Sequence, residues 1–440
     1  MTVEILSRIQ FALTISFHYI CPPLSIGLGV VLVIMNGCYL KTRDPLYRDM
    51  AKFWTKIFGV IFAIGVATGI VMEFEFGTNW ASYSRFVGDV FGSALAAEGI
   101  FAFFLESGFL AILLFGWDRV SSGVHFFATC MVALGAHFSA VWIVVANSWM
   151  QTPAGYHIEV DGQAMPLGYS LVPADLGRAR AVIDDFWAMV FNPSSMDRLT
   201  HVILGAWLAG GCLVLSISAY YLLKNRHRVF AERSFKIAFI FVAITIVLQW
   251  LSGDDTARGV AENQPMKFAA MEGVFETKSH AGLGLIGWVD GKAGKTYELA
   301  VPDLLSVLVG GSPNTVIQGL NSVVPEDRPA VNATYQCYHI MVGIAGLILL
   351  MVMVGCWLWY KKKLFDLSAP LTRLFMWSAV VSVFLVEIAN QAGWFTAELG
   401  RQPWIVYGLM RTSQGLSKVV KNEQVLFSLI LFTFIYLLLL

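Results

Sequence analysis

Long apolar stretches separated by short polar ones dominate the chain. Runs near or above the roughly 20 residues that carry a helix across a bilayer recur at about Phe11–Leu40, Phe53–Phe76, Ser93–Phe115, Val124–Trp149, Leu199–Leu223, Ile237–Leu251, Tyr335–Tyr360, Leu374–Ala397 and Val425–Leu440. The pattern predicts an all-α integral membrane protein of about nine transmembrane helices, a single helical domain over residues 1–440. Glu4 and Arg8 precede an apolar run far longer than a signal h-region, so the first run reads as a span rather than a cleaved leader.

The polar connections give the orientation. Lys41, Arg43, Arg48, Lys52 and Lys56 flank the first connection, and Arg119 lies in the third. Lys224, Arg226, Arg228, Arg233 and Lys236 flank the fifth, and Lys361, Lys362, Lys363 and Arg373 the seventh. With nine spans all four fall on one side, which the positive-inside rule makes the cytoplasm. The N-terminus is then expected outside, together with the 151–195 and 398–422 loops and a long loop, residues 252–334. That loop is long enough to be functional rather than a connector.

Composition agrees with the pattern. Of 440 residues, 57% are hydrophobic and 14% charged, where a soluble domain carries about a quarter. Basic and acidic residues balance at 30 each, so no net field draws nucleic acid. The six cysteines all sit in or beside apolar runs without a Cys-x-x-Cys pair, and read as core rather than disulfides.

Ionisable groups inside a span are costly and mark candidate chemistry. His18 precedes Pro22 and Pro23, and Pro22 cannot donate to the carbonyl of residue 18, so the helix is expected to kink there. A packed histidine and an axial haem ligand both fit. His201 and Met341 open the fifth and seventh spans and Glu398 closes the eighth, all toward the outer side. An imidazole and a thioether together can fill both axial positions of a low-spin haem. Glu98 and Glu106 share the third span, about 12 Å apart on roughly one face, which suits proton relay as well as a structural hydrogen-bonded pair. Glu73 and Glu75 are read as structural. Gln264–Glu272 reads as an amphipathic loop segment. Residues 393–404, GWFTAELGRQPW, gather Trp, Arg and Pro around a membrane-edge carboxylate.

These residues together resemble subunit I of the cytochrome bd-type quinol oxidases over nearly the whole chain. The resemblance rests on Arg8–Phe11 with His18, on GIVMEFEFGTNW at 69–80 and on AEGIFAFFLES at 97–107. It continues through ANSWMQ at 146–151, His201, Gln264–Glu272, Met341 and GRQPW at 400–404. It implies a haem-bearing terminal oxidase of the bacterial inner membrane, which oxidises membrane quinol at the outer face and reduces O2 to water with protons from the cytoplasm, without a pump. It implies three haems: a low-spin haem b, a high-spin haem b, and a haem d or third haem b. His201 and Met341 look like the axial pair of the low-spin haem. His18 and Glu398 look like the single ligands of the two high-spin haems, in an order left open. Trp394 and Arg401 belong to the cofactor pocket, Arg401 toward a propionate. Lys267 and Glu272 look like quinol-loop residues, which makes residues 252–334 the quinol-oxidising loop. Glu98 and Glu106 look like proton-handling groups. The partners implied are a subunit II, a small accessory subunit, quinol, O2 and the lipid bilayer. Two departures stand out: His339 holds a place where the family pattern often has Arg, and the outer loop is short, as in the cyanide-insensitive branch.

Rival readings fit less well. A reductase-type cytochrome b needs paired histidines on two helices, and here His125 and His137 share one. A haem–copper oxidase needs adjacent histidines, and no His-His occurs. A secondary transporter lacks its two matching halves. A non-haem structural subunit is separated by visible absorption.

Overall fold

A computed structural model describes residues 2–439 except Leu167, Ser170 and Leu176. Among the described residues, nine helical segments are long and apolar enough to cross a membrane. The first is two helices, α1 (Val3–His18) and α2 (Cys21–Thr42). The break at Tyr19–Ile20 falls where Pro22 and Pro23 enter the first turn of α2 and remove donors that a continuous helix needs. The second span is α3 (Pro45–Thr78), started by Asp44, whose carboxylate caps the Leu46 N–H at 3.0 Å. After the short α4 (Ala81–Phe86), the third span is built from α5 (Gly88–Ala97), a π turn (Glu98–Phe103) and α6 (Phe104–Phe115). α7 (Ser122–Gln151) is the fourth.

The connection after α7 carries a three-stranded antiparallel sheet of β1 (Tyr156–Val160), β2 (Gln163–Ala164) and β3 (Ala179–Ile183) in the order β2-β1-β3, followed by α8 (Phe186–Val190). α9 (Ser195–Leu223) and α10 (Arg228–Asn263) are the fifth and sixth spans. The long loop then folds as α11 (Pro265–Glu272), an antiparallel ribbon of β4 (Leu283–Asp290) and β5 (Lys295–Val301), and α12 (Leu304–Gly310). α13 (Val331–Tyr360) and α14 (Pro370–Leu399) follow. A small ribbon of β6 (Trp404–Val406) and β7 (Met410–Arg411) precedes α15 (Asn422–Leu439).

Several boundaries correct the sequence reading. Residues 252–263 are the last turns of α10 rather than loop, and Gln264–Glu272 is largely the helix α11. His201 and Met341 lie inside α9 and α13, not at their openings, because both helices extend beyond their apolar stretch. The π turn between Glu98 and Glu106 makes the straight-helix spacing of these two residues inapplicable.

α9, α10, α13 and α14 pack as a ring of four, each against the next. α2 crosses α9 backbone to backbone: a Cβ built on Gly210 would lie 2.1 Å from the Leu28 nitrogen, and one on Gly27 2.2 Å from the Ala206 carbonyl oxygen. In lipid, where burial gives no net drive, such small-residue contacts let helices gain dispersion over their length. The largest core cluster lies toward the end that bears the basic connections, around Met35, Met50, Trp54, Phe58, Phe235 and Phe239. We call that the basic end, and the opposite one, with the long connections, the loop end. α15 is tied to the bundle by polar contacts: Tyr436 donates to Thr14, Thr14 to the buried Glu75 at 2.6 Å, and Ser428 to Gln10.

Candidate functional site

Every candidate ligand lies toward the loop end. His18 is the last residue of α1, turned toward α3 by the break behind it. Its Nδ1 is 3.0 Å from the Thr68 hydroxyl oxygen, whose own proton goes to the Ile64 or Gly65 carbonyl at 2.9 or 3.1 Å. Thr68 therefore accepts, Nδ1 carries the proton, and the Nε2 lone pair is left without a hydrogen bond among the described residues. That is the tautomer a metal-binding imidazole requires.

His201 sits beside α10, with the Gln249 amide nitrogen 3.1 Å from each ring nitrogen. Met341 lies on α13, diagonally across the ring of four helices. One turn of α14 touches both neighbourhoods. The Asn390 carboxamide packs on Gly205, one turn past His201, and a Cβ on Gly393 would stand 2.8 Å from the Met341 sulfur. The next residue, Trp394, stacks on Tyr19 at 5.6 Å between centroids and lines a cavity with Glu398. A single turn of α14 thus joins the surroundings of all four candidate ligands.

The cavity has a volume of about 200 Å³. Its walls are mostly aromatic or aliphatic, among them Phe11, Met72, Phe76, Trp80, Tyr83 and Phe91, with Glu398, Asn147, Arg8 and Arg401 as polar members. The Arg401 side chain is 4% exposed and pairs with the Glu398 carboxylate through one nitrogen. Its Nε and Nη1 are buried without a partner, as is the Trp80 indole nitrogen. Two orphaned guanidinium donors beside an aromatic-walled cavity fit an anionic substituent on a flat apolar group, which is the chemistry of a haem propionate and macrocycle.

Glu398 is the centre of a polar network. Besides Arg401, it accepts from Asn147 at 3.1 Å and Gln151 at 3.2 Å, one turn apart on α7. Asn147 in turn accepts from Arg198 in the first turns of α9. Gln151 accepts from the Lys267 ammonium on α11, which also reaches Gln264 at 2.5 Å. Lys267 passes so close to α14 that a Cβ on Gly400 would meet its Cγ at 2.6 Å, so the glycine of GRQPW makes room for the lysine. The loop helix is in this way wired to the cavity through Gln151. Burial, reinforced by the Arg198 and Arg401 guanidiniums, pushes the Lys267 ammonium well below its usual range.

Glu272 is also buried, but elsewhere. It lies toward Tyr338 of α13, and burial, with Glu298 adding repulsion, raises its carboxyl to about 8 against the opposing Tyr338 bond. The offset of five positions from Lys267 to Glu272 turns them to different sides of α11. Glu98 and Glu106 both face α7: Ser139 donates to Glu98 at 2.6 Å, and a Cβ on Gly135, one turn away, would meet Glu106 at 2.9 Å. His137 has both ring nitrogens engaged, with the Ala133 carbonyl at 2.7 Å and the Trp207 indole at 2.8 Å. His339 turns to the β4 ribbon, its Nε2 3.2 Å from the Gly284 carbonyl oxygen.

Asn147, Gln151 and Gln264 lie in stretches on which the resemblance rests but were given no role of their own, and Arg198 was not singled out from sequence. The signals were present: a charged residue three positions before His201, and two amide side chains at i, i+4 at a helix end.

Imidazoles, a thioether and a carboxylate lie on separate helices toward one end of a membrane bundle, the carboxylate in the wall of an aromatic cavity, and such a set suits an integral membrane protein that holds a redox cofactor. The family model described as cytochrome bd terminal oxidase subunit I matches residues 6–440. The cytochrome bd ubiquinol oxidase subunit 1 of Bacillus subtilis (strain 168) is 37% identical, with 100% of this chain and 91% of that protein covered. The cytochrome bd-II ubiquinol oxidase subunit 1 of Escherichia coli (strain K12) is 34% identical over 98% and 93%. A chain of the solved bd oxidase of Geobacillus thermodenitrificans superposes with a TM-score of 0.87 at 29% identity, over 99% of this chain and 95% of that one. The chain belongs to the cytochrome bd terminal oxidase subunit I family, a haem-binding family of oxidoreductases.

Proposed function

We propose that this chain is the haem-bearing subunit of a quinol oxidase of the bacterial inner membrane, taking electrons from quinol at the loop end and protons for oxygen reduction from the basic end. The observation that carries the reading is the Lys267–Gln151–Glu398–Arg401 network, which joins the loop helix to the cavity. In this reading the loop end faces outward and the N-terminus lies outside.

His201 and Met341 would hold a low-spin haem b. His18 and Glu398 would each hold one of two high-spin haems, one b-type and the other d or b, with Arg401 on a propionate and Trp394 between the sites. The haems, when bound, supply electron transfer and an open iron position for O2. The protein's own groups do the rest. Quinol docks against α11 at Lys267 and Glu272. Lys267, held toward its neutral form, accepts a quinol hydroxyl proton at the loop end and releases it to the outer side. Glu98 and Glu106, held against α7, hand protons inward from the basic end to the site of oxygen reduction. Electrons and protons arriving from opposite sides separate charge without a pump.

Subunit II, and a small accessory subunit, would cover apolar faces that this chain leaves open on the third span, at Ile100, Phe101 and Phe104, and on α15.

The test is a reduced-minus-oxidised visible spectrum and quinol-driven oxygen uptake of the purified complex, wild type and variants. His201→Ala and Met341→Ala should remove the same low-spin b signal, and Glu398→Ala a different one. A long-wavelength band assigns haem d, and its absence a third haem b. If the His201 and Met341 variants lose different bands, or the folded complex shows no haem, the ligand assignment fails.

A further inference from the structure

We infer that the β4–β5 ribbon is a membrane element seated in the lipid interface at the loop end. The inference goes beyond the oxidase reading and does not depend on it.

The ribbon is fastened along α13. Three side chains at i, i+4 and i+7 of that helix line the free edge of β4, and the first two bond it. Asn332 accepts from the Val289 N–H at 3.1 Å, Gln336 donates to the Gly287 carbonyl at 2.8 Å, and the His339 Nε2 lies 3.2 Å from the Gly284 carbonyl. Strand and helix therefore run antiparallel, and Gly284 lies deeper than Val289 by about 10 Å along the helix.

The depth follows from the other end of α13. Counting back about 20 residues from Tyr360, ahead of Lys361–Lys363, places the start of the hydrocarbon near Met341. His339 and Gly284 then lie at the edge of the hydrocarbon with Ile286 and Leu299 beside them, and the ribbon runs outward from there through the headgroup layer. A strand edge cannot lie bare in hydrocarbon. This one is paired to β5 on one side and to α13 on the other.

The two faces of the ribbon differ. One rests on the protein: Val289 is buried, Thr296 donates to the Gly273 carbonyl at 2.5 Å, and Tyr335 donates to Glu298 at 3.2 Å. The other carries the cross-strand pairs Ile286–Leu299 and Trp288–Tyr297. All four are more than half exposed, Ile286 at 76%. A water-facing ribbon would carry polar residues there. Along the depth axis the sequence is graded. The aliphatic pair is innermost, the Trp–Tyr pair comes next, and Lys292 and Lys295 at the tip are outermost. That order matches the bilayer's own profile of acyl chain, aromatic belt and headgroup charge, and it selects lipid over a protein occupant.

Ile286→Cys, Leu299→Cys and Lys292→Cys, each labelled with a nitroxide in the complete complex, test this in phosphatidylethanolamine–phosphatidylglycerol vesicles. The signal of label on the unsubstituted complex is subtracted. The labels at Ile286 and Leu299 are expected to be accessible to oxygen and shielded from a water-soluble nickel chelate, with an oxygen-to-nickel ratio several-fold above that at Lys292. Equal nickel accessibility at all three positions would place the ribbon in water and overturn the inference. Shielding of Ile286 and Leu299 from both reagents would mean that protein covers the face, and would overturn it as well.

Discussion

The two ends of the bundle are built from the same helices and have opposite interiors. At the basic end, α3 buries Met50, Ala51, Trp54 and Phe58 completely, in one core cluster with Phe235, Phe239 and Met376. At the loop end the same helix buries Glu75, α11 buries Lys267 and Glu272, and the turn after α14 buries Arg401. Among the described residues, every Asp, Glu, Lys or Arg that is buried lies toward the loop end, except Glu106 within the third span. A dry aromatic interior gains dispersion and holds no unpaired charge. A charged interior costs desolvation and is worth building only where something must bind or react. The basic end therefore holds the fold and the loop end holds the chemistry.

The sharpest test of that division is Glu398→Ala. It removes the centre of the Arg401–Asn147–Gln151 network and a candidate ligand. Oxygen uptake should fall by on the order of 10²-fold or more, with one haem lost from the pyridine haemochrome count and the complex still assembled. Trp54→Ala probes the other end. Trp54 is fully buried and packs edge-on against Phe53 at 5.0 Å. Its truncation should cost about 3–5 kcal/mol, read as a lower melting temperature, with turnover per haem unchanged. If Trp54→Ala slows turnover per haem while leaving the melt alone, the division of labour is wrong.

Much of the fold was legible because the bilayer enforces it. Runs of apolar residues and the sidedness of Lys and Arg suffice to give nine spans, and Pro22 and Pro23 to place the break after His18. The misplaced limits have one cause. The ends of α10 and α13 project past the hydrocarbon and carry polar residues such as Asp254 and Asn332, so hydropathy stops before the helix does. The ribbons of the loops were invisible for the opposite reason: Ile286, Trp288, Tyr297 and Leu299 are apolar and face outward. Of the site, the ligand candidates stood out as costly or unusual residues in apolar runs. Gln151 and Asn147 did not, because an amide at a helix end costs little until its partners are known. The offset of Lys267 and Glu272 puts them on different sides only in a helix, and Gln264–Glu272 was read as a loop segment.

Glu106→Gln asks whether this deep carboxylate belongs functionally to the loop end. It keeps the shape packed on Gly135 and removes the titrating proton. Turnover should slow roughly ten- to a hundredfold, while the low-spin haem remains reducible by quinol in a single-turnover spectrum. Normal oxygen uptake in this variant would make Glu106 a packing residue, and would extend the structural half of the bundle further toward the loop end.

The smallest effect expected is also the most specific to the loop end. Burial raises the Glu272 carboxyl to about 8 from an ordinary value of 4.5. The proton is therefore bound more tightly in the folded protein than in the unfolded chain. The stabilising contribution of the neutral form is full below the unfolded value and is lost as pH rises through about 8. Below that point Glu272 is an uncharged acid able to donate to an oxygen of quinol, and above it a buried anion beside Glu298. The apparent KM for quinol, measured from about pH 6.5 to 9, should rise a few-fold through the upper half of that range. Glu272→Gln cannot ionise and should flatten the rise while leaving the KM below pH 7 nearly unchanged, and Trp54→Ala should retain it. If the rise persists in Glu272→Gln, another group sets it, and Lys267, on the far side of the same helix, becomes the residue to test.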